Sequence, residues 1–348
     1  MGTDYITLMS LIFRKTGMVI TLALLLSCSA EIPEDWDKPI NVPPVSNLFA
    51  AVARWTDPYP AFRVVGNLYG VGTYDLGVFL IATPDGHILI NTGIEGSFHS
   101  IKQNIESLGF ELGDIKILLT TQAHWDHVAE FARIKHITGA EVWATAGDAP
   151  MLIDGGKSDP NHPTDGSRHM FRPVPVDKVI GHGELIELGG SIIKVHEHPG
   201  HTPGSVSYSM QITENNYLYD VAIVNMGTIN PGVSLIENVT HPSVDRDFAT
   251  TFERQKSMPV DIWVSVHAGF YQLHKKYQPG NAYDPLTFYD PDGFQNTVAK
   301  FEKIYLAKRR EEVEGLEYQR EHTGHSFPGL GNRSEITHQG SKIPLANQ

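Results

Sequence analysis

Thr120-Thr121-Gln122-Ala123-His124-Trp125-Asp126-His127 decides the reading of this chain, because it sets two imidazoles and a carboxylate within four positions. The run before it, Ile115 to Leu119, is short, apolar and partly β-branched, which predicts a strand, and Val128 to Ile137 has the apolar spacing of a helix. The motif therefore falls on the connecting loop, where a rigid frame can hold reactive groups. Imidazole nitrogens and a carboxylate oxygen suit zinc and leave it a Lewis acid. Adjacent Asp126 and His127 can close on one ion while His124 faces another. The competing reading is a solvated polar loop in which Asp126 caps the helix that follows.

Two further histidines occupy positions of the same kind. Ile192 to His196 reads as a strand and runs into His198-Pro199-Gly200-His201-Thr202-Pro203-Gly204-Ser205, a turn-rich loop that puts His201 just beyond the strand end. Asp261 to Val266 is another apolar strand, followed directly by His267-Ala268-Gly269. Three strand ends carrying histidine point to one converging metal site. Covalent catalysis has no candidate, since the single cysteine, Cys28, is not near these motifs and no Ser-x-x-Lys signature accompanies them.

On these segments the chain resembles the metallo-β-lactamase superfamily, and within it subclass B3, over Phe62 to Leu316. Gly72-Thr73-Tyr74-Asp75, Ile88-Leu89-Ile90-Asn91-Thr92-Gly93 and Asp261-Ile262-Trp263 match as well. Gln122 stands where the family's His-x-His-x-Asp-His motif usually opens with histidine, a departure that resembles the GOB-type enzymes. The resemblance implies an α/β fold, a four-layer αββα sandwich of pseudo-twofold halves with the metals at one edge of the sheets. It implies a first zinc site of Gln122, His124 and His201 and a second of Asp126, His127 and His267, holding one or two Zn2+ ions. It also implies hydrolysis of the β-lactam amide of penicillins, cephalosporins and carbapenems by metal-activated hydroxide, giving antibiotic resistance.

Other hydrolases of the fold place a metal-bridging aspartate on the strand before the last histidine. Here Asn225 and Met226 align with that position, and Asp220 comes several residues earlier. A lactonase or thioesterase of the same fold is the alternative enzyme, and a non-catalytic zinc-binding lipoprotein is the alternative outside enzymes.

Individual roles follow. Asp126 is the catalytic candidate, orienting the water. The neutral amide of Gln122 is a weaker zinc donor than imidazole, so the second site is expected to bind more tightly and one ion to suffice. Thr228 is, by resemblance, the donor to the substrate carboxylate. Trp55, Tyr59 and Phe62 lie at or before the first strand, either walling the cleft or stapling the core. Met226 reads as apolar filler, His198 as a hydrogen-bonded loop residue, and His162, His169 and His182 as solvated. His274 reads as another loop residue to be discounted, with orienting a ligand as its alternative. His322, His325 and His338 fall in the tail.

The formal charge of −13 over 348 residues, with no basic stripe, argues against a nucleic-acid partner. The expected partner is a small β-lactam, the protein a monomer, and any membrane contact a lipid anchor. Strand and helix signals alternate without a linker-like break, so residues 51–316 read as one domain. Residues 1–27 read as a lipoprotein-type signal peptide: Arg14 and Lys15 precede apolar Met18 to Leu26, and Leu25-Leu26-Ser27-Cys28 resembles a lipobox with Cys28 as the acylated residue. Simple secretion with cleavage after Ala30, or a start at Met18, are the competing readings. Residues 28–50 form an acidic, Pro-rich tether, and 317–348 a polar, disordered tail. The expected location is the periplasm, with an outer-membrane anchor.

Overall fold

The computed structural model describes residues 54–161 and 168–323. The expected signal peptide, the lipidation site Cys28, the tether at 28–50, and His162, His325 and His338 lie outside the described residues.

Seven strands form the first sheet in chain order: β1 (Phe62–Val65), β2 (Leu68–Gly70), β3 (Phe79–Thr83), β4 (Gly86–Ile90), β5 (Ile115–Leu119), β6 (Glu141–Thr145) and β7 (Lys178–Ile180). Pairing is antiparallel up to β4 and parallel beyond it. The second sheet holds β8 (Leu185–Leu188), β9 (Ser191–Glu197), β10 (Val206–Glu214), β11 (Tyr217–Val224) and β12 (Ile262–Ser265) in the order β12-β11-β10-β9-β8. Its pairs are antiparallel apart from β11 with β12.

Two-residue alternation sorts the strands' side chains into two cores. Ile88 and Ile90 of β4 and Ile117 and Leu119 of β5 face Ile193, Val195, Tyr208 and Met210 of the second sheet. Leu89 and Leu118, between them, face the other way, onto α1 (Phe98–Ser107) and α3 (Phe131–Thr138) through Phe98, Ile101, Phe131 and Ile134. Phe248 and Phe252 of α5 (Val244–Ser257), with Phe294 and Val298 of α7 (Pro291–Thr323), cover the outer face of the second sheet. The result is the four-layer αββα sandwich. Each such buried side chain contributes roughly 1.5–3 kcal/mol, so a one-residue slip that turned a row outward would be prohibitive.

One boundary differs from expectation. The tail was expected to begin at 317, yet α7 continues to Thr323. Glu317, Gln319, Arg320 and Glu321 are strong helix formers, which carries the helix past the last apolar contact.

The site edge is assembled by backbone pairing between the halves. Val206, opening β10, donates its N–H to the Thr121 carbonyl at 2.8 Å. Leu76 bridges to His267 beyond β12. At the end of β4, Asn91 adopts a left-handed φ of 64°, which asparagine tolerates, and its Oδ1 accepts the Thr121 N–H at 2.9 Å.

Candidate metal centre

After β5 the chain turns at His124, the N-cap residue of the short α2 (Trp125–Val128). Asp126 and His127 are therefore helical, not on an open loop as the sequence suggested, and Asp126 is not the cap. The turn is held from outside by Thr92, whose N–H donates to the His127 carbonyl at 2.7 Å.

This places one donor set. Asp126 Oδ2 lies 3.1 Å from His127 Nε2 and 3.5 Å from His267 Nε2, and ligand atoms of the three lie within 4.8 Å of one another. His127 is fully buried, yet neither ring nitrogen has a hydrogen-bond partner. Its Nε2 is near the carboxylate without being aligned on it, as expected of donors aimed at a shared third point.

The second set lies beside it. His201 Nδ1 is 2.7 Å from the Thr228 carbonyl, which only accepts, so that nitrogen carries the proton and Nε2 presents a lone pair. That lone pair faces His124 Nδ1 at 3.1 Å. Nε2 of His124, on the far side of the ring, is 3.3 Å from Asp159 Oδ2. Gln122 is buried with its Oε1 unpartnered. Facing imidazole nitrogens, an orphaned amide oxygen and a carboxylate among unpaired rings fit divalent metal, and each expected ligand is brought to this edge.

Electrostatics favour the same chemistry. Burial alone would push the Asp126 carboxyl up, but His127, His267 and His124 around it hold it below the ordinary carboxylate range. Burial, reinforced by His124, pushes His201 down to about 3; burial and His127 push His267 down to about 4. Both are neutral imidazoles at neutral pH, the form that binds metal. Burial works against protonated His124, but Asp159, with Asp126 and Asp148 nearby, more than offsets it and its pKa is raised.

Three residues build the frame, of which Asp148 and Gly147 carry no local signal. Asp148, wholly buried before α4 (Ala149–Asp154), accepts the Ala123 N–H (2.8 Å) and the Thr202 hydroxyl (2.9 Å) on Oδ2, and the Gly204 N–H (2.8 Å) on Oδ1. A Cβ on Gly204 would overlap Thr145 Oγ1 and the Asp148 backbone nitrogen, and one on Gly147 would overlap the Pro203 carbonyl. The loop after β6 and the loop between β9 and β10 thus meet backbone to backbone.

Both donor sets open into a cleft of about 440 Å³ walled by Trp55, Trp125, Asn161, Thr228, Asn230 and Phe270. Trp55 stands 5.5 Å from the His267 ring and is tied by Nε1 to Asp75 Oδ2 at 3.1 Å. Tyr59 and Phe62 belong to the core, so of the three N-terminal aromatics Trp55 alone faces the cleft. Thr228 lines it and also steadies His201. Below it, Glu312 of α7 accepts the N–H groups of Leu235 (2.7 Å) and Ile236 (3.0 Å), pinning the continuation of that wall.

The strand that could have carried a bridging carboxylate does not. Asn225, just past β11, lines the cleft, and Met226 is buried in the core. Asp220 is bound to Gln211 at 3.1 Å and its backbone N–H to Asp261, within the strand ladder. His274, discounted as a ligand, stacks on Tyr74 at 3.8 Å. His198 bonds Ser207 at 2.7 Å, and exposed His182 accepts the Glu197 N–H. Asp159, Trp125 and Phe270 were not anticipated; the adjacency of Trp125 to the ligands was the one available signal.

A model of the metallo-beta-lactamase superfamily matches residues 78–214. Among solved structures, the chain is similar to a beta-lactamase from Chitinophaga pinensis (43% identity, TM-score 0.72, covering 74% of this chain and 96% of that one). It is similar to the metallo-beta-lactamase GOB-18 from Elizabethkingia meningoseptica (40%, 0.72, 74% and 95%). It is also similar to the class B3 di-zinc metallo-beta-lactamase LRA-12 from an Alaskan soil metagenome (41%, 0.71, 74% and 96%). The chain spans about half the length of the first curated relatives it matches; the hydroxyacylglutathione hydrolase of Rhizobium meliloti is 28% identical over 145 residues, 39% of this chain and 47% of that protein.

Proposed function

We propose, from the premise that this chain belongs to the metallo-β-lactamase superfamily and groups with its class B3 enzymes, that it hydrolyses the β-lactam amide with the aid of zinc. The observation that carries this reading is the pair of donor sets in one cleft, Gln122–His124–His201 beside Asp126–His127–His267, with no carboxylate from β11 between them among the described residues. Hydroxyacylglutathione hydrolases and lactonases of the fold are expected to need that carboxylate, which favours the β-lactamase.

Zinc held by these donors would supply Lewis acidity and make water more acidic near neutral pH. The chain's own residues do the rest. Asp126, kept ionised, accepts a hydrogen bond from water entering between the two sets and orients it. Thr228 offers a hydroxyl at the cleft mouth to the substrate carboxylate, and Trp55, Trp125 and Phe270 exclude solvent from its apolar part. The sequence supports export, with acylation of Cys28, as the setting for this activity.

The test is turnover of a carbapenem and a cephalosporin by purified protein with added zinc and with a chelator. Chelator-sensitive hydrolysis is expected. Absent turnover with zinc bound, together with cleavage of a lactone or thioester, would replace this reading with the alternative hydrolase.

A further inference from the structure

The two donor sets differ in charge. Asp126 gives one of them an anionic ligand, whereas Gln122, His124 and His201 are all neutral and would hold a dication with no counter-charge of their own. One carboxylate pairs directly with that neutral set. Asp159 Oδ2 is 3.3 Å from His124 Nε2, and both side chains are only 10% exposed, so solvent screens the pair weakly.

Asp159 is itself held at two points. Its Oδ1 accepts the Asn161 N–H at 2.8 Å, and its own N–H reaches the Gly156 carbonyl. A carboxylate fixed in this way accepts and cannot donate. It therefore selects the His124 tautomer with the proton on Nε2, leaving the Nδ1 lone pair turned to His201 Nε2. Since Thr228 fixes His201 with its own lone pair facing back, the 3.1 Å approach of these two nitrogens is satisfied by a proton shared between them when His124 is charged, and by a metal ion when it is neutral.

We propose that Asp159 is the positioning residue of the first metal set, fixing His124 through Nε2–H and supplying, through that imidazole, the negative charge its neutral donors lack. The inference rests on the metal reading of the site. It predicts that a residue from the segment after α4, remote from every ligand motif, sets the first site's affinity and leaves the second untouched.

The experiment compares wild type, D159N and D159A, labelled at the histidine nitrogens. His124 is read by nitrogen NMR in metal-free protein under alkaline conditions, and zinc is titrated against a chromophoric chelator. An asparagine cannot accept from both His124 and Asn161 as the carboxylate does, and alanine removes the acceptor outright. Wild type is expected to hold the Nε2–H form and both variants to lose it, with first-site affinity falling roughly 10–100-fold and second-site affinity unchanged. Intact second-site binding also certifies folding. An unchanged tautomer and first-site affinity in D159A would overturn the proposal. Failure of wild type to bind zinc would defeat the metal reading instead, and the tautomer comparison would still decide the role of Asp159.

Discussion

Asp148 accepts the Thr202 hydroxyl at 2.9 Å across 54 positions of sequence. The same carboxylate takes the amides of Ala123 and Gly204, so one buried group sets the spacing between the loop of His124 and the loop of His201. In D148N an amide replaces an acceptor with a donor and leaves at least one of these groups unsatisfied, at about 1–3 kcal/mol each. Urea unfolding should show a lower midpoint at unchanged slope, with weaker zinc binding at the first set. An unaltered midpoint would mean the carboxylate is dispensable to the frame.

Gln122→His replaces an amide oxygen with imidazole nitrogen at a buried, unpartnered position. First-site zinc affinity should rise by about tenfold or more, given the preference of zinc for nitrogen donors. Chelator competition would reveal the change as fuller occupancy of the first site at limiting zinc. Equal stoichiometry in the two proteins would count against a weak first site in the wild type.

Glu312 carries a pH dependence that can be isolated. Burial alone would raise its carboxyl, but Lys308 and the amides of Ile236 and Leu235 hold it below the ordinary value. Because the folded pKa is depressed, its stabilisation is complete above the unfolded value of about 4.3 and is lost as pH falls through the folded one. After discounting for partial exposure, wild type should exceed E312Q by about 1 kcal/mol at neutral pH, the gap closing on acidification. A pH-independent gap would rule out the charge as its source.

Metal removal should cost stability as well as activity. An ion bound only by the folded state contributes about 2.7 kcal/mol at a hundredfold excess over its dissociation constant. Thermal unfolding with and without chelator should therefore differ by several degrees, and the difference should shrink in H267A. Coincident transitions would indicate that the donors do not hold metal.

The ligands were legible because each signal is local. His124, Asp126, His127, His201 and His267 follow apolar strand runs or sit in turn-rich loops, and strand ends at one sheet edge converge. Asp148 and Asp159 were not legible, since each looks like an ordinary polar loop residue until partners 54 and 35 positions away are brought against it. The helical turn at Trp125–Val128 escaped because four residues are too few to show a period. The end of α7 was missed for the converse reason: its last residues are helical by propensity without an apolar stripe to announce them.

The backbone contact at Gly147 and Gly204 divides this molecule by how freely it can change over generations. Trp55, Asn230 and Phe270 shape the mouth but hold no part of that contact, so selection for a different substrate can rewrite them while the ions stay in place. Drift at the two glycines has no such outlet, because any side chain there separates the loops before specificity is touched.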